Sequence, residues 1–535
     1  MVNTQLFKTT PGKLAPAADA VNQSGARAYG YKSRHHLAQL AVTGCMTSTF
    51  HADARSQLED ALTLAQDVDT AFLAKTAVYA RQSGHMKDMP ALLAAVLAQR
   101  DIALLQPVFG RVIDNGKMLR NFVQILRSGQ TGRKSLGSRP KKLVQQWLVN
   151  ASEQRLLQAS IGNEPTLADV VRMVHPKPAE AWRAAWFAWL IGRPYDEAAL
   201  PPATQAYERF KRALLAGKTE GATADDLPPV PFQMLTALPL NDAHWARIAA
   251  QGSWQMVRQN LNAFARHGVF DRPGMTAQLA ALLRDPAVVA SARVLPYQLM
   301  TAFNAASAAS AVPAEIRDAL QDAMEAALVN VPAIAGRVVV CPDVSGSMSS
   351  AVTGGRGSAT SVVRCIDVAA LVAAALVRKN PRCRVMPFEQ RVVPVKLNPR
   401  DSVMTNAAKL AAIGGGGTSV SAPLRQLNEE RAAVDLVVIV SDNESWIDAR
   451  RHGATETLTQ WEAIKARCPT AKLVCIDIQP GASTQAVERK DVMNVGGFSD
   501  AVFRMVGDFA AGATEVGHWV REIERMWIDP QRMNA

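Results

Sequence analysis

Cysteine is scarce in this chain of 535 residues: six, at positions 45, 341, 365, 383, 468 and 475, with no Cys-x-x-Cys pair. Scattered singly, they fit neither a disulfide framework nor a zinc site and read as reduced thiols; Cys341 and Cys475 lie inside apolar runs. Long hydrophobic runs are missing as well. The longest near the start, Ala91–Ala98, is too short to cross a bilayer. Met1-Val-Asn-Thr-Gln-Leu-Phe-Lys8 has no apolar core of signal-peptide form, so a cytoplasmic address with no membrane partner is expected. Acidic residues are absent from Asn115 to Ser152, a stretch that holds eight cations: Lys117, Arg120, Arg127, Arg133, Lys134, Arg139, Lys141 and Lys142. Eight like charges repel unless acids elsewhere in the fold or a polyanion neutralise them. Gly129, Gly132 and Gly137 between them would let backbone N–H groups approach phosphates. The formal net charge of +12 is uneven: from Gly336 onward 24 Lys/Arg face 21 Asp/Glu, so most of the surplus precedes it.

Alternating strands are absent up to about residue 330. Residues 1–30 are rich in Thr, Pro, Gly and Ala and suggest an extended arm. Residues 31–335 read as helices throughout. Amphipathic stretches occupy 69–82, 89–100, 116–127, 140–149, 166–174, 179–191, 204–215 and 253–267, with Gly, Pro or Asn nearby. Ser56 with Glu59 predicts a capping box. Many medium helices with short joints point to an α-solenoid. Trp182, Trp186 and Trp189 follow helical spacing and are expected in the core. From 336 to 535 the pattern becomes strand–helix alternation: strands at 337–342, 383–388, 391–397, 435–440 and 472–478, with helices at 361–378, 402–412, from 422, 455–467 and 500–509. That is a doubly wound, mostly parallel sheet, giving an α plus α/β architecture.

In such sheets ligands bind at the carboxyl ends of strands. Three loops there carry hard oxygen donors. Val338-Val-Val-Cys-Pro342 runs into Asp343-Val-Ser345-Gly-Ser347; Gly414-Gly-Gly-Gly-Thr418 presents a threonine; and Leu436-Val-Val-Ile-Val-Ser441 ends in Asp442. Asp343, Ser345, Ser347, Thr418 and Asp442 suit an octahedral Mg²⁺ or another divalent cation. Two carboxylates and neutral hydroxyls would leave the ion able to take a carboxylate or phosphate from a partner. No histidine lies near these loops, Glu444 and His452 have no evident catalytic partner, and no Walker loop or triad is present, so binding without catalysis is expected.

These residues resemble two known modules. Residues 336–515 are similar to a von Willebrand factor A domain with a metal-ion-dependent adhesion site, whose five ligand positions fall on the five residues just named. The helical part resembles the TROVE module of the Ro autoantigen family and its bacterial homologues. The likeness runs through His35-His-Leu-Ala38, Arg127-Ser-Gly-Gln-Thr-Gly-Arg-Lys134, Asp169-Val-Val-Arg172-Met-Val-His175-Pro-Lys-Pro178, Met256-Val-Arg258-Gln-Asn260 and Ala292-Arg-Val-Leu-Pro-Tyr297. The resemblance implies a monomeric ring of HEAT-like helices closed by the A-domain. It also implies a non-catalytic scaffold that takes small structured Y-like RNAs outside and single-stranded ends of misfolded RNAs inside, acting in RNA quality control with an exoribonuclease or RNA-repair partner. Arg172, His175, Arg258 and Asn260 join the basic stretch as expected RNA contacts. The family's basic residues before the His-Pro-Lys-Pro run are missing around 158–162. The alternative is a protein–protein adaptor that binds an acidic partner through Mg²⁺ and has no RNA role.

Overall fold

The computed structural model describes all residues except 1–14, 44–53, 133, 219, 293–295, 329–330, 353–362, 443, 446, 448–452, 480, 498–499, 513–516 and 529–535. The described residues form two compact units. One is built from those of Met1–Asp67, Val289–Asn304 and Leu320–Arg525, the other from those of Val68–Val288, Ala305–Ala319 and Met526–Ala535.

In the first unit eight strands are described: β1 (Ala20–Val21), β2 (Arg27–Gly30), β3 (Val338–Pro342), β4 (Arg384–Val385), β5 (Leu436–Ser441), β6 (Lys472–Asp477), β7 (Ser483–Thr484) and β8 (Val492–Gly496). Five of them make a parallel sheet in the order β4-β3-β5-β6-β8. Every residue of β3 and β5 is buried, as their unbroken Val/Ile/Leu runs require of strands covered on both faces. The helix Cys365–Lys379, nearly all Ala, Val and Leu, packs on β3 and on the helix Val403–Ala411. The helices Ala422–Glu429 and Glu456–Arg467 pack together, and fully buried Trp461 of the latter donates its indole N–H to Asp491 at 2.8 Å.

Two details differ from the sequence reading. The strand expected at 391–397 is reduced to a single bridge between Phe388 and Val392, and β8 was not anticipated. The N-terminal residues also pack by contact rather than by chain order. β1, β2 and β7 form a small antiparallel sheet, with Ala20 opposite Ala28 and Tyr29 opposite Thr484. The helix Ser33–Thr43 then lies against β8 and the helix His518–Glu524. Residues expected as an arm and first repeat thus pack with the sheet.

The second unit is helical. Thr70–Gln82 packs on Asp88–Arg100 and Ile102–Val112; Asp88–Arg100 packs on Gly116–Ser128; Ile102–Val112 packs on Ser138–Asn150; and Gly116–Ser128 packs on Glu153–Ala159 and Leu167–Val174. Helices therefore meet neighbours one, two or three along the chain, as stacked helix pairs do. Gly116 is required by one such contact: a Cβ there would sit 2.2 Å from that of Ala159. Trp186 is fully buried and donates to the Thr204 hydroxyl at 3.2 Å, whereas Trp182 and Trp189 are half-buried. The capping box expected at Ser56 is not formed there. Ser56 lies inside the helix Ala54–Asp67, and Glu59 instead takes the Arg55 guanidinium at 2.9 Å. Among the described residues no helix is long and apolar enough to cross a membrane, and Cys341, Cys365, Cys383, Cys468 and Cys475 are free; Cys45 lies outside them.

Candidate metal centre and basic surface

β3 delivers Asp343 to the carboxyl edge of the sheet. Its N–H donates to the Val440 carbonyl at 2.8 Å, continuing the β3–β5 ladder by one residue. The carboxylate is fully buried. One oxygen accepts the Ser345 N–H at 2.8 Å and the other the Ser441 hydroxyl at 2.6 Å. The Ser345 and Ser347 hydroxyls lie 3.3 Å apart. The glycine turn is clamped onto this loop from both sides: Gly346 N–H donates to the Gly416 carbonyl and Gly415 N–H to the Val344 carbonyl, each at 3.0 Å. Gly416 has φ of +73°, and a side chain there would run into the Glu389 carboxylate, so the turn needs glycine twice over. It leads to buried Thr418. Asp442, directly after β5, is buried too and accepts the Glu444 N–H at 3.3 Å.

The Asp343 carboxyl is pushed up to about 7, chiefly by burial and then by the negative charge of Asp442. Two mutually repelling carboxylates, with the paired Ser345 and Ser347 hydroxyls and buried Thr418 on the clamped turn, offer hard oxygen donors of the kind that fit a divalent cation. Among the described residues no cluster of three His, Cys, Asp or Glu side chains could hold a metal, so any cation here would depend on hydroxyl oxygens.

The basic stretch divides by burial. Arg127, Lys134, Arg139 and Lys142 are exposed, Lys117 and Lys141 half-buried, and none of these six makes an ion pair among the described residues. Arg127 reaches only the Met173 sulfur, at 2.8 Å. Arg120 departs from the expectation: it is buried and gives its guanidinium to the Ala159 carbonyl at the end of the helix Glu153–Ala159, beside Gly162. Arg258 is likewise buried, its guanidinium 5.8 Å from the Trp254 ring centre, and Asn260 turns back to the Met256 carbonyl at 2.7 Å. Arg120 and Arg258 are thus withdrawn from the surface by burial, while half-buried Asn260 is engaged by its own helix. Arg172 is exposed and bound to Asp169 and the Ile191 carbonyl. His175 is exposed in a left-handed C-cap, and its carbonyl accepts from Gln145. Arg133 lies outside the described residues.

Residues 337–510 match the family model of the Ro60 vWA domain. Over that stretch the chain is similar to the Ro60 A-domain. The likeness to Ro proteins extends along the chain: it is 25% identical over 526 residues to the RNA-binding protein RO60 of Deinococcus radiodurans, covering 92% of this chain and 95% of that one. The crystal structure of the Deinococcus radiodurans RO (RSR) protein superposes with a TM-score of 0.62 at 19% identity, over 90% of this chain and all of that one, and the fold is shared.

Around the carboxyl ends of the parallel strands, sequence reading missed Ser441, the second donor to Asp343, and Glu389, which shoulders Gly416. It also missed the N-terminal turn between β1 and β2. Asn22 donates to the Ser445 carbonyl at 3.1 Å, and Ser24 N–H donates to the Glu444 carboxylate at 3.0 Å, bracing the loop after Asp442. A serine ending the β5 run was a visible signal for the first. Nothing local signals the other two, which depend on residues tens to hundreds of positions apart.

Proposed function

We propose that this protein is a non-catalytic RNA-binding scaffold. The observation that carries this reading is the set of exposed cations between Arg127 and Lys142 — Arg127, Lys134, Arg139 and Lys142 — with no ion pair among the described residues. Unneutralised cations on one surface attract a polyanion and release its counterions. Similarity to a protein named for RNA binding supports the same reading. The finer form is capture of small structured Y-like RNAs and of single-stranded ends of misfolded RNAs for quality control or degradation, alongside an exoribonuclease or repair partner in the cytoplasm. It draws its support from the Ro-family resemblance, including exposed His175 after its helix. Asp343, Ser345, Ser347, Thr418 and Asp442 would hold Mg²⁺, which would supply an open coordination position for a partner's acidic group; these residues fix the loops and exclude water from the carboxylates.

The test replaces Lys134, Arg139, Lys141 and Lys142 together with Gln. RNA affinity is expected to fall, and the slope of log affinity against log salt to flatten by roughly 0.7 for each lost single-strand contact. An unchanged slope in filter binding would return these cations to plain solvation and favour the adaptor reading.

A further inference from the structure

On the helix Ser138–Asn150, the exposed residues Arg139, Lys142, Gln146 and Asn150 lie three or four apart and so share one face. The cationic end of this face continues into a polar end, and Gln146 and Asn150 form the wall of an open groove of about 730 Å³. Arg111, Trp147, Arg155 and Trp527 are also among its lining residues. Trp147 is the floor: it is buried, its indole N–H is held by the Ile113 carbonyl at 3.0 Å, and the Arg155 guanidinium lies over its ring at 4.5 Å. Arg155 is oriented from the side by the Asp114 carbonyl at 2.8 Å. Arg111 is fixed by Gln82 at 2.8 Å and by the Trp527 carbonyl at 2.6 Å. Neither arginine makes an ion pair among the described residues. The Trp527 side chain is left 68% exposed, the most exposed large apolar residue described.

Each part of this groove suits one component of a nucleotide. A guanidinium held over an indole is available on its outer side to a flat π-system, and an exposed indole offers a second such face. Amide groups at Gln146 and Asn150 match base edges, and unneutralised arginines match phosphates. A duplex keeps its bases stacked on one another and could not use the aromatic faces. Resting on the RNA-binding reading above, we infer that this groove is a stacking subsite for a nucleobase of single-stranded RNA, whose phosphates follow Arg139 and Lys142 along the helix. An acidic protein segment would use the guanidiniums but not the indole.

The experiment is fluorescence anisotropy on the full chain with a labelled oligouridylate of roughly ten nucleotides, across a salt series. Trp527→Ala is expected to weaken binding on the order of tenfold with the salt slope unchanged, because stacking releases no counterions. Trp527→Phe should restore most of the affinity. Arg155→Lys should lose affinity although its charge is kept, since an ammonium has no plane to stack. Trp527 is exposed, so thermal melts of its variants should overlay the parent. Wild-type affinity in Trp527→Ala, with binding lost in the four-Gln variant, would overturn the subsite and leave the RNA reading standing. Absence of oligouridylate binding by the wild type and all variants would remove both. Displacement of the probe by polyglutamate with no effect of Trp527→Ala would assign the groove to acidic segments and overturn the inference.

Discussion

The two units handle charge in opposite ways. In the sheet unit, carboxylates are carried inward by buried strands and gathered at one edge, where Asp343 and Asp442 repel each other. In the helical unit, charge is turned outward, and the buried arginines among the described residues meet carbonyls or an aromatic face of the fold. Arg120 caps the Ala159 carbonyl, Arg183 the Leu148 and Ala151 carbonyls, and Arg258 lies over Trp254. A buried charge is tolerated when carbonyls or an aromatic face compensate it. A buried pair of like charges is not compensated by its own members and favours a cation from outside. Burial of a charge thus serves structure at Arg120, Arg183 and Arg258, whereas at Asp343 and Asp442 it underlies the proposed cation site, and the sign of the neighbours tells the two cases apart.

The contrast can be broken most forcefully in the helical core. Trp186→Ala removes a fully buried indole and leaves Thr204 without one of its partners; a loss of about 3–5 kcal/mol in urea unfolding is expected, with Mg²⁺ binding retained by whatever protein stays folded. A cost below ~1.5 kcal/mol would mean that the ring is not a core residue. Next in size is the cation site. Mg²⁺ at a hundredfold over its dissociation constant should stabilise the wild type by about 2.7 kcal/mol and Asp343→Ala by nothing, as read from melting curves with and without chelator. A variant stabilised as strongly as the parent would take Asp343 out of the coordination set. RNA affinity should be unchanged by this substitution; loss of it in a folded variant would end the separation of the two sites.

The smallest effect concerns an ion pair at the opening of the sheet, where Asp435 accepts from the Arg337 guanidinium at 2.8 and 2.9 Å and from its N–H at 2.7 Å. These bonds hold the Asp435 carboxyl down at about 2. The folded value is depressed, so the stabilisation is present above the ordinary carboxylate range near 4 and fades as pH falls toward 2. With the arginine side chain 60% exposed, the pair is screened by solvent and its contribution is small. Asp435→Asn should therefore lower stability slightly at pH 7 and by less at pH 2, where the folded carboxyl is already titrating. An equal difference at both pH values would assign the effect to packing instead.

Legibility from sequence followed locality. Asp343, Ser345 and Ser347 lie within five residues on a loop whose preceding strand announces itself by composition, and the helices Gly116–Ser128 and Leu167–Val174 were bounded to within a residue by their apolar period. β8 was not readable because Val-Met-Asn-Val-Gly places a polar residue mid-strand. Asn494 is buried there only because Thr484 and the Ala486 carbonyl bond its amide. The segment 391–397 looked like a strand by composition but makes only the Phe388–Val392 bridge, and Pro394 within it has no N–H to give a ladder. Among the cations, Lys142 and Arg120 looked alike, because charge count says nothing of which helix face meets a neighbour.

What the sequence determined by itself is what short-range physics settles: helix periods, buried strands, a glycine turn and the order of the oxygen donors along the chain. Only tertiary structure decided that Gly346 and Gly416 clamp two donor loops together and that the Asn22–Ser24 turn braces Glu444 and Ser445. It alone decided that Arg120 is consumed by a carbonyl while Arg155 stacks on Trp147 in an open groove. The physical reason is that a side chain's chemistry is local, whereas its desolvation and its partners are set by whatever the fold packs against it.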